Sequence, residues 1–458
     1  MPLHVVSAIL FSPRGGSAHV ARALADGLRA KGCEVTLIAG SRGDLDGHGD
    51  ARGFYGDGDL RAVDFGPAIA SGDPLGYCGP QGSAPIHPSF EDRPGAIDRV
   101  FAALDDEAYE RQVAAWSREL AAAGAADADV LHLHHLTPLN EAAARVAPGV
   151  PVVGQLHGTE LLMLEAIESG VTCWPHAAAW AQRLRRWAQE CALIVVAEGA
   201  IARARDLLEL DHERIVPLPS GVDTNVFRPR PVNRRAMWRE VLVERPRGWR
   251  PGGEAGSVTY QDDDLGPLVD GTVVTYVGRF TAVKRLPLLI EAFAAANERT
   301  STPAGLVLIG GYPGEWEGEH PVETIARTDA HGVFLAGWHD HTRLPEMLCA
   351  ADVVALTSAR EQFGLVLVEG MACERPAVAT RSPGPVSIIT NGTTGWLTAD
   401  DDVDALASAL AEAIDNHAER GRRGRAAREI ICEHYTWGAI AERLTAVLED
   451  VASPSIAS

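Results

Sequence analysis

Two glutamates eight positions apart, Glu361 and Glu369, bracket the run Phe363-Gly364-Leu365 within Ser358 to Ala372. The apolar stretch Asp352 to Leu356 reads as a buried strand feeding this loop, and the pattern predicts a helix opening near Phe363 or Gly364. A helix start at the carboxyl end of a parallel strand offers unpaired backbone N–H groups and partial positive charge, which suit a diphosphate. Gly364 lets the backbone approach such a group closely. Glu361 before the helix and Glu369 about one turn inside it then flank the phosphate seat and can accept hydrogen bonds from hydroxyls on either side. A nucleotide-sugar has that layout: sugar hydroxyls, diphosphate, ribose hydroxyls. Two solvated glutamates on an amphipathic helix would need neither the glycine nor the aromatic.

A second group is cationic. Tyr276 to Arg285 follows a strand and precedes a helix containing Leu289, Ile290 and Phe293, and it carries Arg279 and Lys284. Lys31 and Lys284 are the chain's only lysines, all other fixed cations being arginine, so a lysine in mid-motif calls for a chemical reason. Arg279 as a planar fork and Lys284 as a compact point charge can hold a departing diphosphate. Surface charge alone explains them poorly, because helix starts favour acids. Elsewhere, His157 ends a strand in Gln155 to Glu160, where ligands of parallel sheets collect. His132-Leu133-His134-His135 invites a metal reading, but in a strand His132 and His134 share a face and His135 points away.

The elements that must position these residues form two series. Strand-like runs at His4–Leu10, Glu34–Ala39, Asp129–Leu133, Val150–Leu156, Leu193–Ala197 and Ile215–Leu218 alternate with Ala- and Leu-rich helical stretches. A second series runs through Val273–Val277, Leu306–Ile309, Val333–Ala336, Val353–Leu356 and Ala377–Thr380. The alternation predicts an α/β protein of two doubly wound domains with parallel sheets. Two stretches interrupt it: Ser41 to about Ile97, far longer than the usual connection of about 4 to 6 residues, and Pro229 to Asp270.

Composition narrows the function classes. With 458 residues, 46% hydrophobic and 22% charged, the chain reads as an ordinary globular protein and excludes disorder, collagen and coiled coil. A net charge of −21 argues against nucleic acid and anionic membrane as partners. No apolar run reaches the roughly 18 to 20 residues needed to span a bilayer, and the start lacks a basic leader. Seven scattered cysteines without a CxxC pair point to reduced thiols and a cytoplasmic location.

Taken in order, these motifs carry a family resemblance. Glu361 with Glu369 resembles the E-x7-E element of retaining family-4 glycosyltransferases, in the superfamily of glycogen synthase and sucrose-phosphate synthase. Gly278-Arg279 with Lys284 is similar to their cation pair, and Pro217 to Asp223 with Phe227 and Pro229 to their interdomain segment. Pro13-Arg14-Gly15-Gly16 resembles their opening loop, and Tyr435-Thr436-Trp437 the start of their closing helix. The resemblance implies a GT-B fold, two Rossmann-like domains facing a central cleft. It implies an N-terminal, acceptor-side domain over 1–222, a donor domain over 223–435, and a closing helix over about 436–452 that packs back on the first. It also implies retention of configuration without a bound metal and with no cofactor beyond the donor, a UDP-sugar first among candidates. Carried over residue by residue, Arg279 and Lys284 stabilise the leaving diphosphate; Glu361 and the Phe363-Gly364-Leu365 backbone position the sugar; Glu369 holds the ribose. Gly15 and Gly16 let a loop close on the donor, and His157 faces sugar and acceptor.

Departures from the family are Gln362, Gly370 and the Ser382–Ser387 turn, together with both long stretches. The aromatics Phe54, Tyr55, Phe65, Tyr77, His87 and Phe90 make the Ser41–Ile97 stretch a candidate loop over the cleft, selecting a small polar acceptor, with His157 beneath it. A sugar-nucleotide epimerase and a non-catalytic nucleotide-sugar binding protein are the competing functions on this architecture.

Overall fold

The computed structural model describes residues 2–13, 15–43, 49–56, 58–92 and 97–453. The chain divides into two units, one reaching Pro219 and resuming at Trp437, the other running from Ser220 to Thr436. Arg14 of the opening loop lies outside the described residues.

The first unit holds seven strands: β1 (His4–Ile9), β2 (Glu34–Ser41), β3 (Leu60–Asp64), β4 (Val130–His134), β5 (Val152–Gln155), β6 (Leu193–Val196) and β7 (Ile215–Pro217). All pair in parallel, in the order β3-β2-β1-β4-β5-β6-β7. Parallel strands covered on both faces must be apolar throughout, and Val5, Val6, Ala8 and Ile9 of β1 are fully buried. The order reverses between β1 and β4, which opens a crevice at their carboxyl ends. The helix Trp437–Ala452 packs on the helix Gly16–Ala30, burying Ile440, Leu444 and Leu448. Gly27 permits this close approach: a Cβ there would lie 2.5 Å from that of Ala441.

The second unit holds β8 (Thr272–Val277), β9 (Ala304–Ile309), β10 (Val333–Gly337), β11 (Val353–Leu356), β12 (Ala377–Thr380) and β13 (Gly395–Thr398). Its order is β10-β9-β8-β11-β12-β13, again parallel, with the reversal between β8 and β11. Both units are therefore doubly wound α/β layers, in agreement with the predicted class.

Three readings of the sequence need correction. The Ser41–Ile97 stretch is not one loop. It contains edge strand β3 and the short helices Ala51–Tyr55 and Gly66–Ala70, and it buries Tyr55, Phe65, Ile86 and Phe90 in the core. Strand β3, with Arg61 and Asp64 among five residues, has the brevity and charge of an edge strand, which hides its periodicity. Within that stretch, residues 44–48, 57 and 93–96 lie outside the described residues. Strand β13, Gly395-Trp396-Leu397-Thr398, carries only two apolar side chains and follows the turn-like Asn391-Gly392-Thr393-Thr394, so the sequence predicts no strand there. The Pro229–Asp270 stretch is built into the second unit: Trp238 and Trp249 are fully buried, and the Tyr260 hydroxyl accepts a hydrogen bond from the Leu335 N–H of edge strand β10 at 2.8 Å.

Candidate active site

At the reversal point of the second sheet, the loop after β8 meets the loop after β11. The turn Ala282–Lys284 places Lys284 at the mouth, and Lys284 Nζ donates to Glu361 Oε2 at 2.5 Å, with both side chains largely buried. Backbone contacts lace the loops together: Ala359 N–H donates to the Val283 carbonyl at 2.9 Å, and the Thr357 hydroxyl donates to the Lys284 carbonyl at 3.0 Å. Arg279 is fixed by its own carbonyl, which accepts from the Tyr276 hydroxyl at 2.8 Å. Burial pushes that hydroxyl's pKa far up; the nearby Glu361 charge adds to the shift and Arg279 opposes it. Arg279 and Glu361 therefore both lie within electrostatic reach of one buried group.

Gly364 has φ 95°, a left-handed conformation that favours glycine, and directly precedes the helix Leu365–Ala372. No side chain caps that helix start, and the hydroxyls of Ser358 and Ser382 are buried without a hydrogen-bond partner among the described residues. Two of the departures in this region, Gly370 and Ser382–Ser387, have physical reasons. At Gly370 a Cβ would lie 2.4 Å from Val354 Cγ2, so the methyl of an alanine has no room. The Ser382–Ser387 segment, which the structure winds into the short helix Pro383–Ile388, presses on the loop after β11, with Gly384 N–H donating to the Glu361 carbonyl at 2.7 Å. A Cβ on Gly384 would meet the Phe363 backbone at 2.5 Å. Gly384→Ala is therefore expected to cost about 1–3 kcal/mol of stability as an overpacked contact and to raise donor KM by displacing Phe363 and Gly364. Thermal unfolding and donor titration check this; an unchanged KM would show that the turn does not set the loop.

Glu369, buried on the same helix, is held by His341, whose Nε2 lies 2.6 Å from Glu369 Oε1. His341 sits in the loop after β10, so two strands' loops converge on this carboxylate.

At the reversal point of the first sheet, the structure assembles histidines. Gly15, at φ 106°, turns the chain from β1 into the helix Gly16–Ala30. Behind the neighbouring strand ends, His134 Nδ1 lies 3.0 Å from His157 Nε2, so one proton is shared between them. His132 Nε2 lies 2.9 Å from Gln155 Oε1. The rings of His135 and His157 meet at 4.3 Å, and His135 Nδ1 contacts Glu160 Oε1 at 3.2 Å. Burial holds His132 down to about 4 and depresses His134 and His157 well below the ordinary histidine value. Burial alone would raise Glu160, but the His135 ring and the N–H of His157 outweigh it and keep the carboxyl low. From the stretch read as a loop, Phe90 packs directly on His135 with ring centroids 5.5 Å apart, and His87 reaches this group through Phe11, which packs edge-on against His87 and His135. Among the described residues no group of three or more His, Cys, Asp or Glu is arranged to hold a metal ion.

Residues 14–226 match Glycosyltransferase Family 4, and residues 261–430 match Glycosyl transferases group 1. The chain belongs to the family-4 glycosyltransferases. A D-inositol 3-phosphate glycosyltransferase from Acidothermus cellulolyticus is 28% identical over 306 residues, covering 63% of this chain and 60% of that protein. The chain thus spans less than two thirds of that relative's length. Among solved structures, sucrose-phosphate synthase from Thermosynechococcus elongatus superposes with a TM-score of 0.68 at 18% identity, covering 99% of this chain and all of that one. Anabaena HepE in complex with UDP and glucose gives 0.63 at 16% identity, covering 98% of this chain and all of that one. These likenesses fix the GT-B fold. No helix among the described residues is long and apolar enough to cross a membrane.

In the second unit the structure brings Lys284 to Glu361 and sets both beside Gly364, with Phe363, Leu365 and Glu369 on the same loop and helix. His157, Gly15 and Gly16 lie on the carboxyl edge of the other sheet. Sequence reasoning missed His341, His134 and Glu160 as their partners. His134 closes β4 and His341 follows the end of β10 at Gly337, so a histidine at or beyond a strand end was the available signal for these two.

Proposed function

We infer that this chain is a retaining hexosyltransferase that moves a sugar from a nucleoside-diphosphate sugar, a UDP-sugar first among donors, to a small hydroxylated acceptor without a resident metal. The observation that carries the reading is the Lys284–Glu361 pair beside an uncapped helix start, cation and hydroxyl acceptor side by side where a diphosphate meets a sugar. As the bond from the anomeric carbon to the diphosphate oxygen breaks, negative charge grows on the leaving group. Arg279 and Lys284 oppose that charge without moving far, which is preorganised electrostatic stabilisation. Glu361 and the Phe363–Leu365 backbone orient the sugar, and Glu369, held by His341, accepts from ribose hydroxyls. His157 faces the sugar and the acceptor. It is kept neutral by burial first, and then by neighbouring imidazoles, so it serves as a hydrogen-bonding group. The relative's inositol phosphate acceptor, small and polyhydroxylated, supports an acceptor of that class.

A panel of nucleotide-sugars assayed for transfer, donor hydrolysis and sugar isomerisation tests this. Transfer with the anomeric configuration kept is expected. Inversion, an epimerised sugar nucleotide, or binding without turnover would each replace the reading with another. Activity is expected to survive EDTA, because two side-chain cations and a helix start already supply the charge. Loss on chelation that magnesium or manganese restores would refute metal independence.

A further inference from the structure

The Pro229–Asp270 segment reaches the cation-bearing loop after β8 through one side chain. Within it, residues 248–258 form a closed turn. The Gly248 carbonyl accepts from the N–H groups of Gly256 at 2.9 Å and Val258 at 3.1 Å, and Arg250 Nη2 donates to the Ser257 carbonyl at 2.9 Å. The turn is seated on edge strand β10, where a Cβ on Gly248 would lie 2.3 Å from the Leu335 carbonyl. A turn fixed in this way holds the next side chain, Trp249, in one place. Trp249 is fully buried, and its indole stacks on the ring of Phe280 with centroids 5.9 Å apart and planes 21° from parallel.

Phe280 is the residue after Arg279, and it is buried. The loop after β9 also presses on it. At Gly311, with φ 69°, a Cβ would lie 2.6 Å from the Phe280 ring, so only glycine lets that backbone lie so close. The Phe280 carbonyl accepts from the Glu317 N–H at 2.9 Å, and Glu317 Oε2 accepts from the Ala282 N–H at 3.1 Å. His320 completes the aromatic group, edge-on to Trp249 at 4.5 Å and to Phe280 at 5.8 Å. Its Nδ1 accepts from the Val322 N–H at 3.2 Å, and burial keeps the ring neutral, so it packs as an aromatic. Arg279 is thereby anchored twice, by its own carbonyl on the Tyr276 hydroxyl and by the packed ring of its neighbour.

We propose that Trp249 and Gly311 are positioning residues of this transferase: they clamp Phe280, and the clamp holds the Arg279 guanidinium where the diphosphate departs. The proposal rests on the donor-site reading above and gives the Pro229–Asp270 segment a part in turnover. A cation stabilises developing charge well only if it is already in place and need not reorganise. Misplacement by about 1 Å, even from a change remote from the chemistry, can cost on the order of 10²-fold in rate. Neither Trp249 nor Gly311 has to touch a ligand for this.

The test is steady-state release of nucleoside diphosphate from UDP-, GDP- and ADP-glucose by the full chain. Variants are compared on whichever donor the unaltered chain uses fastest, with thermal unfolding measured beside each. Trp249→Leu and Gly311→Ala are each expected to lower kcat by about tenfold or more, with donor KM within about threefold, as for an interaction made in the transition state. Trp249→Phe keeps a ring on Phe280 and should recover most of the loss. In an Arg279→Ala background, Trp249→Leu and Gly311→Ala should cost no further turnover, because they act through that one group. A merely structural loss of active enzyme would multiply instead. Trp238→Leu removes an equally buried tryptophan from the helix Arg234–Arg239 of the same segment. It should lower the unfolding temperature and leave kcat within about threefold. If Trp249→Leu does not fold, Gly311→Ala carries the same comparisons. Near-normal kcat in the clamp variants, losses that multiply with Arg279→Ala, or an equal fall in Trp238→Leu each overturn the proposal while a slow Arg279→Ala leaves the donor site standing. Normal turnover in folded Arg279→Ala, or a folded chain that uses none of the three donors, overturns the donor-site reading itself, and this proposal with it.

Discussion

Lys284→Ala and Arg279→Ala are each expected to lower turnover on the order of 10²- to 10³-fold, the size of effect seen when one preorganised donor to a developing charge is removed. Lys284 is held at the β8 strand end by Glu361 at 2.5 Å, and its backbone carbonyl is tied to Thr357. Its charge is therefore already in place before the diphosphate leaves, with little reorganisation to make. Removing it also strips the largely buried Glu361 of its counter-charge, so donor KM should rise alongside the fall in kcat. Lys284→Arg keeps the charge but not the compact shape, and should recover only part of the loss. Steady-state kinetics on variants whose thermal unfolding is unchanged would measure this. Near-normal turnover in both alanine variants would remove the diphosphate assignment.

The second large effect concerns acid. His132 and His134 are fully buried and held neutral, His132 down to about 4 and His134 well below the ordinary value. Their unfolded pKa is about 6.5, so the folded value lies below the unfolded one. Between the two, the unfolded chain binds protons that the folded chain refuses, and stability falls as pH drops through about 6.5 toward 4. Both groups act in the same direction in that window, so stability falls more steeply with pH than either histidine alone would make it. The groups facing the pair are Ser7, Gln155, His135 and His157, with Glu160 behind His135. Glu160, itself depressed, adds a loss in the same direction at lower pH. Urea midpoints at pH 8, 7, 6 and 5 should fall steeply below 7, and less steeply in His132→Gln. A flat profile would mean that the histidines are solvated or paired with charge.

How much of this was legible depends on the range of the interaction. The seat between Glu361 and Glu369 could be read because strand, loop and helix lie within one local stretch, where periodicity and a glycine show the turn. Lys284 was flagged by composition, as one of two lysines. Both sheets were visible through their apolar runs, since parallel strands buried on both faces leave no alternation to obscure them. Tertiary structure alone decided the partners. Lys284 meets Glu361 across 77 residues, His341 meets Glu369 across 28, and His134 meets His157 across 23. Each meeting follows from which strands lie side by side, and long crossover connections set that order without a local trace in sequence. The same holds for β3 and the Pro229–Asp270 segment. Their residues look like loop because they are charged or rich in Gly and Pro, and they take regular or buried places only because a sheet edge offers hydrogen bonds and apolar surface to receive them.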